Sequence, residues 1–231
     1  MQKYCENNQL TSVSHSPYPT NLTTLIEKRP QVIESLLNDL DISETCGSFG
    51  VVVHFGKETK TINPLHSYQL IIETLNEVLV SWKGSCKILL ENNAGKPGSI
   101  GTTLEELVQI RKLTDAPEKI GFCFDTCHAY ASGLWNGENW NELCLKGEEL
   151  NYFKHLECIH FNNSKYPTGE GKDRHANIVG NGHITKRQWE EFLSSNVNKG
   201  IPLILETPDE IISHKEEIAQ IKQVWEDNPL I

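Results

Sequence analysis

Two kinds of apolar pattern alternate along this chain. Short β-branched or aliphatic runs read as strands, and longer stretches with an apolar residue every three or four positions read as helices. The strand-like runs are Leu10–His15 (LTSVSH), Phe49–His54 (FGVVVH), Lys87–Glu91 (KILLE), the front of GFCFDTCH at 121–128, Leu156–Asn162 (LECIHFN) and Pro202–Glu206 (PLILE). Helical spacing covers residues 21–40, where Leu22, Leu25, Ile26, Val32, Ile33 and Leu36 recur in phase. It returns over 65–82, 102–113 (with Thr102 as the cap), 137–155, 185–195 and 213–226.

Each strand-like run carries a polar residue at or near its carboxyl end. These are His15, His54, Glu91, Asp125, His160 and Glu206, separated by 34 to 46 residues. That interval fits one strand–helix unit of roughly 30 residues or more. Strands alternating with helices predict a parallel sheet with right-handed crossovers. Polar side chains at the carboxyl ends of such strands belong to the catalytic face of a TIM-type barrel. By alternation, Val52, Leu89, Cys123, Cys158 and Ile204 point inward below them. The expected fold is therefore α/β, a TIM-type barrel with six recognisable strands where about eight close a barrel. No linker or low-complexity segment interrupts residues 1–231, which read as a single domain.

Composition changes the picture only in part. No apolar run is long enough to span a bilayer, and the amino-terminal MQKYCENNQL lacks the apolar stretch of a signal peptide. Seven cysteines at irregular spacing read as reduced thiols, hence an intracellular protein, cytoplasmic or nuclear. The net charge of −10 argues against a general nucleic-acid binder. Bound cations weaken that argument, because three divalent ions would bring the total to about −4.

A metal site is what the carboxylates call for. His128 lies three residues after Asp125, and the loop D-R-H adds Asp173 and His175, which makes nine groups in all. One zinc takes about four ligands, so this set suits two or three ions. Four buried carboxylates without cations would be severely destabilising. Each residue alone has a plainer reading. A strand-end histidine is more often a satisfied core or surface group, and Asp125 reads equally as a helix N-cap with a surface histidine near it. Six strand ends in phase are hard to explain that way. His66, His155, His183 and His214 fall outside the pattern and read as surface residues. Cys123 and Cys127 read as packing thiols, and the five tryptophans as core or rim. The Gly-rich loop 94–101 is a weak phosphate-cradle signal.

The segments H-S-P-Y (15–18), V-V-H-F-G (52–56), ENNAG (91–95), GFCFDTCHAYASG (121–133), HFNNSK (160–165), DRHANIVGNG (173–182) and PLILET (202–207) together resemble the endonuclease IV family of apurinic/apyrimidinic DNA endonucleases. They occur in the family's order and cover nearly the whole chain. The resemblance implies a TIM barrel with three zinc ions, manganese being an alternative in one site. His15, His54 and Glu91 would hold the first ion. Glu91, Asp125, His160 and Glu206 would hold the second, and His128, Asp173 and His175 the third. It further implies double-stranded DNA with an abasic site as substrate. By the same resemblance, hydrolysis would fall 5′ to that site and leave a 3′-hydroxyl, with Glu91 and Glu206 as the catalytic carboxylates, and Glu206 would orient the attacking hydroxide. Tyr18 would wedge into the duplex, and Lys165 and Arg174 would contact DNA.

Several positions depart from the family pattern. Phe55 stands where Pro is usual, Pro19 where an apolar wedge residue is, and Lys96-Pro97 where Gln-Gly is. Asn163 replaces an Asp, so a contact behind the ligands or to DNA is expected to differ. The first two strand–helix units have no counterpart, and ten residues before the first strand cannot supply them. An open sheet would expose Val52, Val53, Ile204 and Leu205, and would favour dimerisation unless the chain is a fragment. Two rival functions remain: a metal-dependent sugar isomerase or epimerase, and a paralogue that keeps its metals but grips DNA poorly.

Overall fold

The computed structural model describes residues 2–8, 10–56, 64–180, 182–210 and 212–225. Asn181, within the 173–182 motif, and Glu226, at the end of the expected last helix, lie outside them. The chain forms two compact units, one of residues 1–91 and 98–123, the other of residues 92–97 and 124–231.

The first unit opens with helix α1 (Gln2–Asn8), which the apolar pattern does not predict. Strand β1 (Ser14–His15) pairs in parallel with β2 (Gly50–Val53), and β2 with β3 (Lys87–Glu91). Helix α2 (Arg29–Thr45) fills the first crossover. It starts eight residues later than the spacing predicts. Pro30 sits in its first turn, where a missing N–H costs nothing. Ahead of it, Asn21 Oδ1 accepts from Thr23 N at 3.1 Å and folds residues 21–23 into a turn. Leu22 is buried there, whereas Leu25 and Ile26 are exposed, so their spacing was not a helix face. Helix α3 (Pro64–Ser81) follows β2. Helix α4 (Leu104–Leu113) is capped by Thr103, not Thr102, in a reciprocal bond with Glu106. Thr102 N also donates to Glu106 Oε2, at 2.8 Å. Val52 and Val53 are fully buried, contrary to the expectation for an open sheet. β1 flanks β2 on one side, β3 on the other, and α2 lies against β2.

Strand β4 (Ile120–Asp125) pairs in parallel with β3 through Ile120–Cys123 and ends in the second unit. There Asp125 leads directly into α5 (Thr126–Ser132), which Gly133 closes in a left-handed conformation, φ +81°. Helix α6 covers only Trp140–Leu150 of the expected 137–155 stretch, because Asn151 (φ 59°) terminates it. Strand β5 (Leu156–His160) is followed by an unpredicted antiparallel pair, β6 (Asn163–Ser164) and β7 (His175–Ala176). Helix α7 (Lys186–Leu193) precedes β8 (Leu203–Ile204), which pairs in parallel with β5, and α8 (His214–Val224) closes the described chain. Trp135, Trp140, Trp189, Phe161 and Phe192 form the aromatic core of this unit, none more than 1% exposed. Ile204 and Leu205 are half-buried. No described helix is long and apolar enough to cross a membrane.

Candidate metal centre

Strand register builds the first half of the donor set. His15 ends β1, His54 follows β2 by one residue, and Glu91 ends β3. Since Val53 pairs with Leu90, the next residues of those strands reach the same level. Glu91 Oε2 lies 3.4 Å from His15 Nε2 and 3.2 Å from His54 Nδ1. The two imidazole centroids are 4.9 Å apart, and Glu91 is 1% exposed. His15 Nδ1 meets the carbonyl of Ser16 at 2.8 Å. That assigns the proton to Nδ1 and leaves the Nε2 lone pair facing Glu91.

The second unit carries the other six donors. His160 Nδ1 lies 3.0 Å from Glu206 Oε2 and 3.9 Å from Asp125 Oδ2. His128 Nε2 lies 3.2 Å from Asp173 Oδ1. His175 Nε2 lies 3.6 Å from Asp125 Oδ2 and 3.7 Å from Asp173 Oδ1. His128 Nδ1 meets the Asn92 carbonyl at 3.0 Å, and His175 Nδ1 the Glu206 carbonyl at 3.0 Å. Here too the assigned tautomers turn Nε2 lone pairs toward carboxylate oxygens. The His175 Nε2 atom is buried and has no hydrogen-bond partner. Lone pairs converging on carboxylates repel unless a cation lies among them, so the donor set fits divalent metal. His128, Asp173 and His175 offer atoms all within 4.8 Å of one another.

Asp125 unites the two readings of its motif. Its Oδ1 accepts from His128 N at 2.6 Å as the N-cap of α5, while Oδ2 faces His160 and His175. The neighbouring histidine is not a surface residue, since His128 is 4% exposed.

Two buried asparagines escaped the sequence reading. The Asn92 amide bonds the Asp125 main chain at both ends, accepting from N at 2.7 Å and donating to O at 2.9 Å. Asn162 donates to Asp125 Oδ2 at 2.7 Å and accepts from Glu206 N at 2.8 Å. Each follows a strand-end donor by one or two residues, and that adjacency is the only signal the sequence offered. Cys127 lies beside Asp125, but burial and that carboxylate push its thiol up, which keeps it a packing group. None of the seven cysteines is in a disulfide.

The remaining expectations find definite places. Tyr18 is 81% exposed, and Lys165 and Arg174 are exposed on facing ends of the β6–β7 pair. Among the histidines read as surface groups, His183 is exposed and His66, His155 and His214 are half-buried. Asn163 is fully engaged inside, donating to the Ile184 carbonyl at 3.0 Å and accepting from Ile184 N at 2.9 Å. Its departure from the family pattern therefore tethers a loop, and the buried amide is not available to DNA. Phe55 is buried, and a side chain on Gly101 would collide with its ring.

The pattern of the xylose isomerase-like TIM barrel family matches residues 1–227. A protein of Symbiobacterium thermophilum named "Probable endonuclease 4" is 40% identical over 86% of this chain and 72% of its own length. The chain belongs to the endonuclease IV family. The crystal structure of endonuclease IV from Thermus thermophilus superposes with a TM-score of 0.81 at 26% identity, covering 98% of this chain and 80% of that one. Endonuclease IV membership thus carries the TIM-barrel fold and makes the chain an enzyme. A D-tagatose 3-epimerase-like protein, at 23% identity and a TM-score of 0.74, shares the fold alone.

Proposed function

We propose that the chain is a DNA repair enzyme that hydrolyses the phosphodiester 5′ to an abasic site in double-stranded DNA and leaves a 3′-hydroxyl. The observation that carries the reading is the set of imidazole lone pairs turned onto buried carboxylates in a member of the endonuclease IV family. The donors divide into His15 with His54 and Glu91, Asp125 with His160 and Glu206, and His128 with Asp173 and His175. We assign one zinc to each group, about three per chain. Bound divalent ions would generate a nucleophile from water near neutral pH and offset phosphate charge.

The protein's own groups do the rest. Glu206 is the most open carboxylate in its group, with a side chain 32% exposed, whereas Asp125 is closed. Its backbone is fixed by Asn162 and its carboxylate by His160, so it is held to orient an attacking water. Tyr18 offers an exposed ring to fill the gap left by a missing base, and Lys165 and Arg174 offer charge to the phosphates. Residues 1–231 act in this reading as a single domain, and cysteines outside any disulfide support an intracellular setting.

The test is a nicking assay on a 5′-labelled duplex with one abasic site, beside an undamaged duplex. Zinc content is measured by elemental analysis of the same preparation. Cleavage confined to the damaged strand, with an end that a polymerase extends, is the expected result. A protein that carries zinc but leaves the abasic duplex intact would contradict the assigned activity. A protein with one ion or none would contradict the three-ion assignment.

A further inference from the structure

Among the described residues outside the donor set, the second unit buries one more carboxylate completely. Glu217, in the first turn of α8, is 0% exposed. Its Oε1 accepts from Ile178 N at 2.7 Å, and its Oε2 from Asn177 Nδ2 at 2.9 Å and Thr207 Oγ1 at 2.5 Å. Those donors come from two separate segments. Asn177 and Ile178 continue β7 just beyond His175, and Thr207 directly follows Glu206. Two more bonds join the same segments, from Asn177 Nδ2 to the Pro208 carbonyl at 3.0 Å and from His175 Nδ1 to the Glu206 carbonyl at 3.0 Å. His214 Nε2, also on α8, meets the Thr207 carbonyl at 2.8 Å.

Burying a carboxylate is costly unless its oxygens are hydrogen-bonded. Three donors and the positive end of α8 offset that cost here. The charge also explains the residue type. A carboxylate accepts at both oxygens, so one side chain can gather donors from two segments. An amide of the same shape would turn its NH2 toward the Asn177 NH2 and the Thr207 hydroxyl, and would lose one side of the clamp.

We propose that Glu217 is a positioning residue that sets the spacing between the His175 imidazole and the Glu206 carboxylate, and so the affinity of the metal centre. This rests on the metal assignment under Proposed function. β6 and β7 pair over only two residues, so little else holds His175 against Glu206. Groups standing behind metal ligands change metal affinity by about 10- to 100-fold when removed.

The experiment dialyses the full chain against buffered zinc and compares wild type with Glu217→Gln. Circular dichroism checks the fold, and nicking is followed as zinc is raised. The expected result is a folded variant whose weakest-held zinc binds about 10- to 100-fold less tightly. Added zinc should then restore both its occupancy and its nicking rate, which a merely structural defect would not allow. Equal zinc affinity in the two proteins overturns the proposal. If Glu217→Gln does not fold, Thr207→Val removes one donor at constant shape and should weaken zinc by about 10-fold. Unchanged affinity there overturns the proposal as well, and so does unfolding of both variants, which would make Glu217 a folding residue only. Absence of zinc from the wild type would instead remove the metal assignment itself.

Discussion

The two halves of the donor set are built differently. In the first unit, three donors stand at the ends of adjacent parallel strands, and the ladder register alone brings His54 and Glu91 level. The bond that orients His15 goes to a main-chain carbonyl, that of Ser16. In the second unit the donors come from two strand ends, the first turn of α5, the β6–β7 pair and the segment after β8. They are held by buried side chains: the amides of Asn92 and Asn162 and the carboxylate of Glu217. In the first unit the parallel ladder brings the strand ends level, whereas in the second unit even the strand-end donor Asp125 has buried amides behind it. The first design should tolerate change in the neighbouring side chains, and the second should not.

The largest effect should come from the second half. Glu206→Gln keeps the shape of the side chain and removes its charge. Binding to an abasic duplex should persist while single-turnover cleavage falls by about 10² or more. A near wild-type rate would remove Glu206 from the mechanism.

The halves can next be separated by metal content. His54→Ala should lower zinc from about three to about two per chain in elemental analysis, leaving the second unit's donors filled. Loss of every ion would mean that the halves bind cooperatively rather than by their own geometry. Chelation of all the metal should lower the thermal midpoint, and zinc should restore it.

A matched pair of neutral substitutions tests the comparison most directly. Asn162→Ala strips the partners from Asp125 and Glu206, and should cost about 1–3 kcal/mol in urea unfolding. The same change should slow cleavage by about 10- to 100-fold. Ser16→Ala leaves the carbonyl that orients His15, and the Ser16 hydroxyl is itself buried without a hydrogen-bond partner. That change should stay within about 0.5 kcal/mol. Equal effects at both positions would erase the distinction.

The smallest effect concerns the thiols. Burial, and then the nearby Glu44, pushes Cys86 up to about 12. Its thiolate form is therefore scarce at about pH 8. Iodoacetamide on native protein should label the half-buried Cys5 and Cys46 well before Cys86, as read by peptide mass spectrometry. Rapid labelling of Cys86 would show that the first unit opens readily.

Six strands, and the polar residues at their carboxyl ends that the structure brings near one another, were legible from the chain, because both signals are local. A buried parallel strand must be an apolar run, and polar residues tolerated only at its carboxyl end mark one face of the fold. His15, His54, Glu91, Asp125, His160 and Glu206 could be read for that reason. Other features were decided by local turn chemistry that outweighed the spacing, or by contacts between distant segments. Asn21 and Pro30 overrode an apolar spacing that looked helical from residue 21. The β6–β7 pair carries no apolar alternation and exists through bonds such as Lys165 N to the Arg174 carbonyl. Asn92, Asn162 and Glu217 look like ordinary surface polar residues in the sequence. Only folding shows that each is buried with every hydrogen bond directed at a donor or at the chain beside it. A side chain's type is written in the sequence, but the number of its hydrogen-bond partners is set by what the fold removes from water.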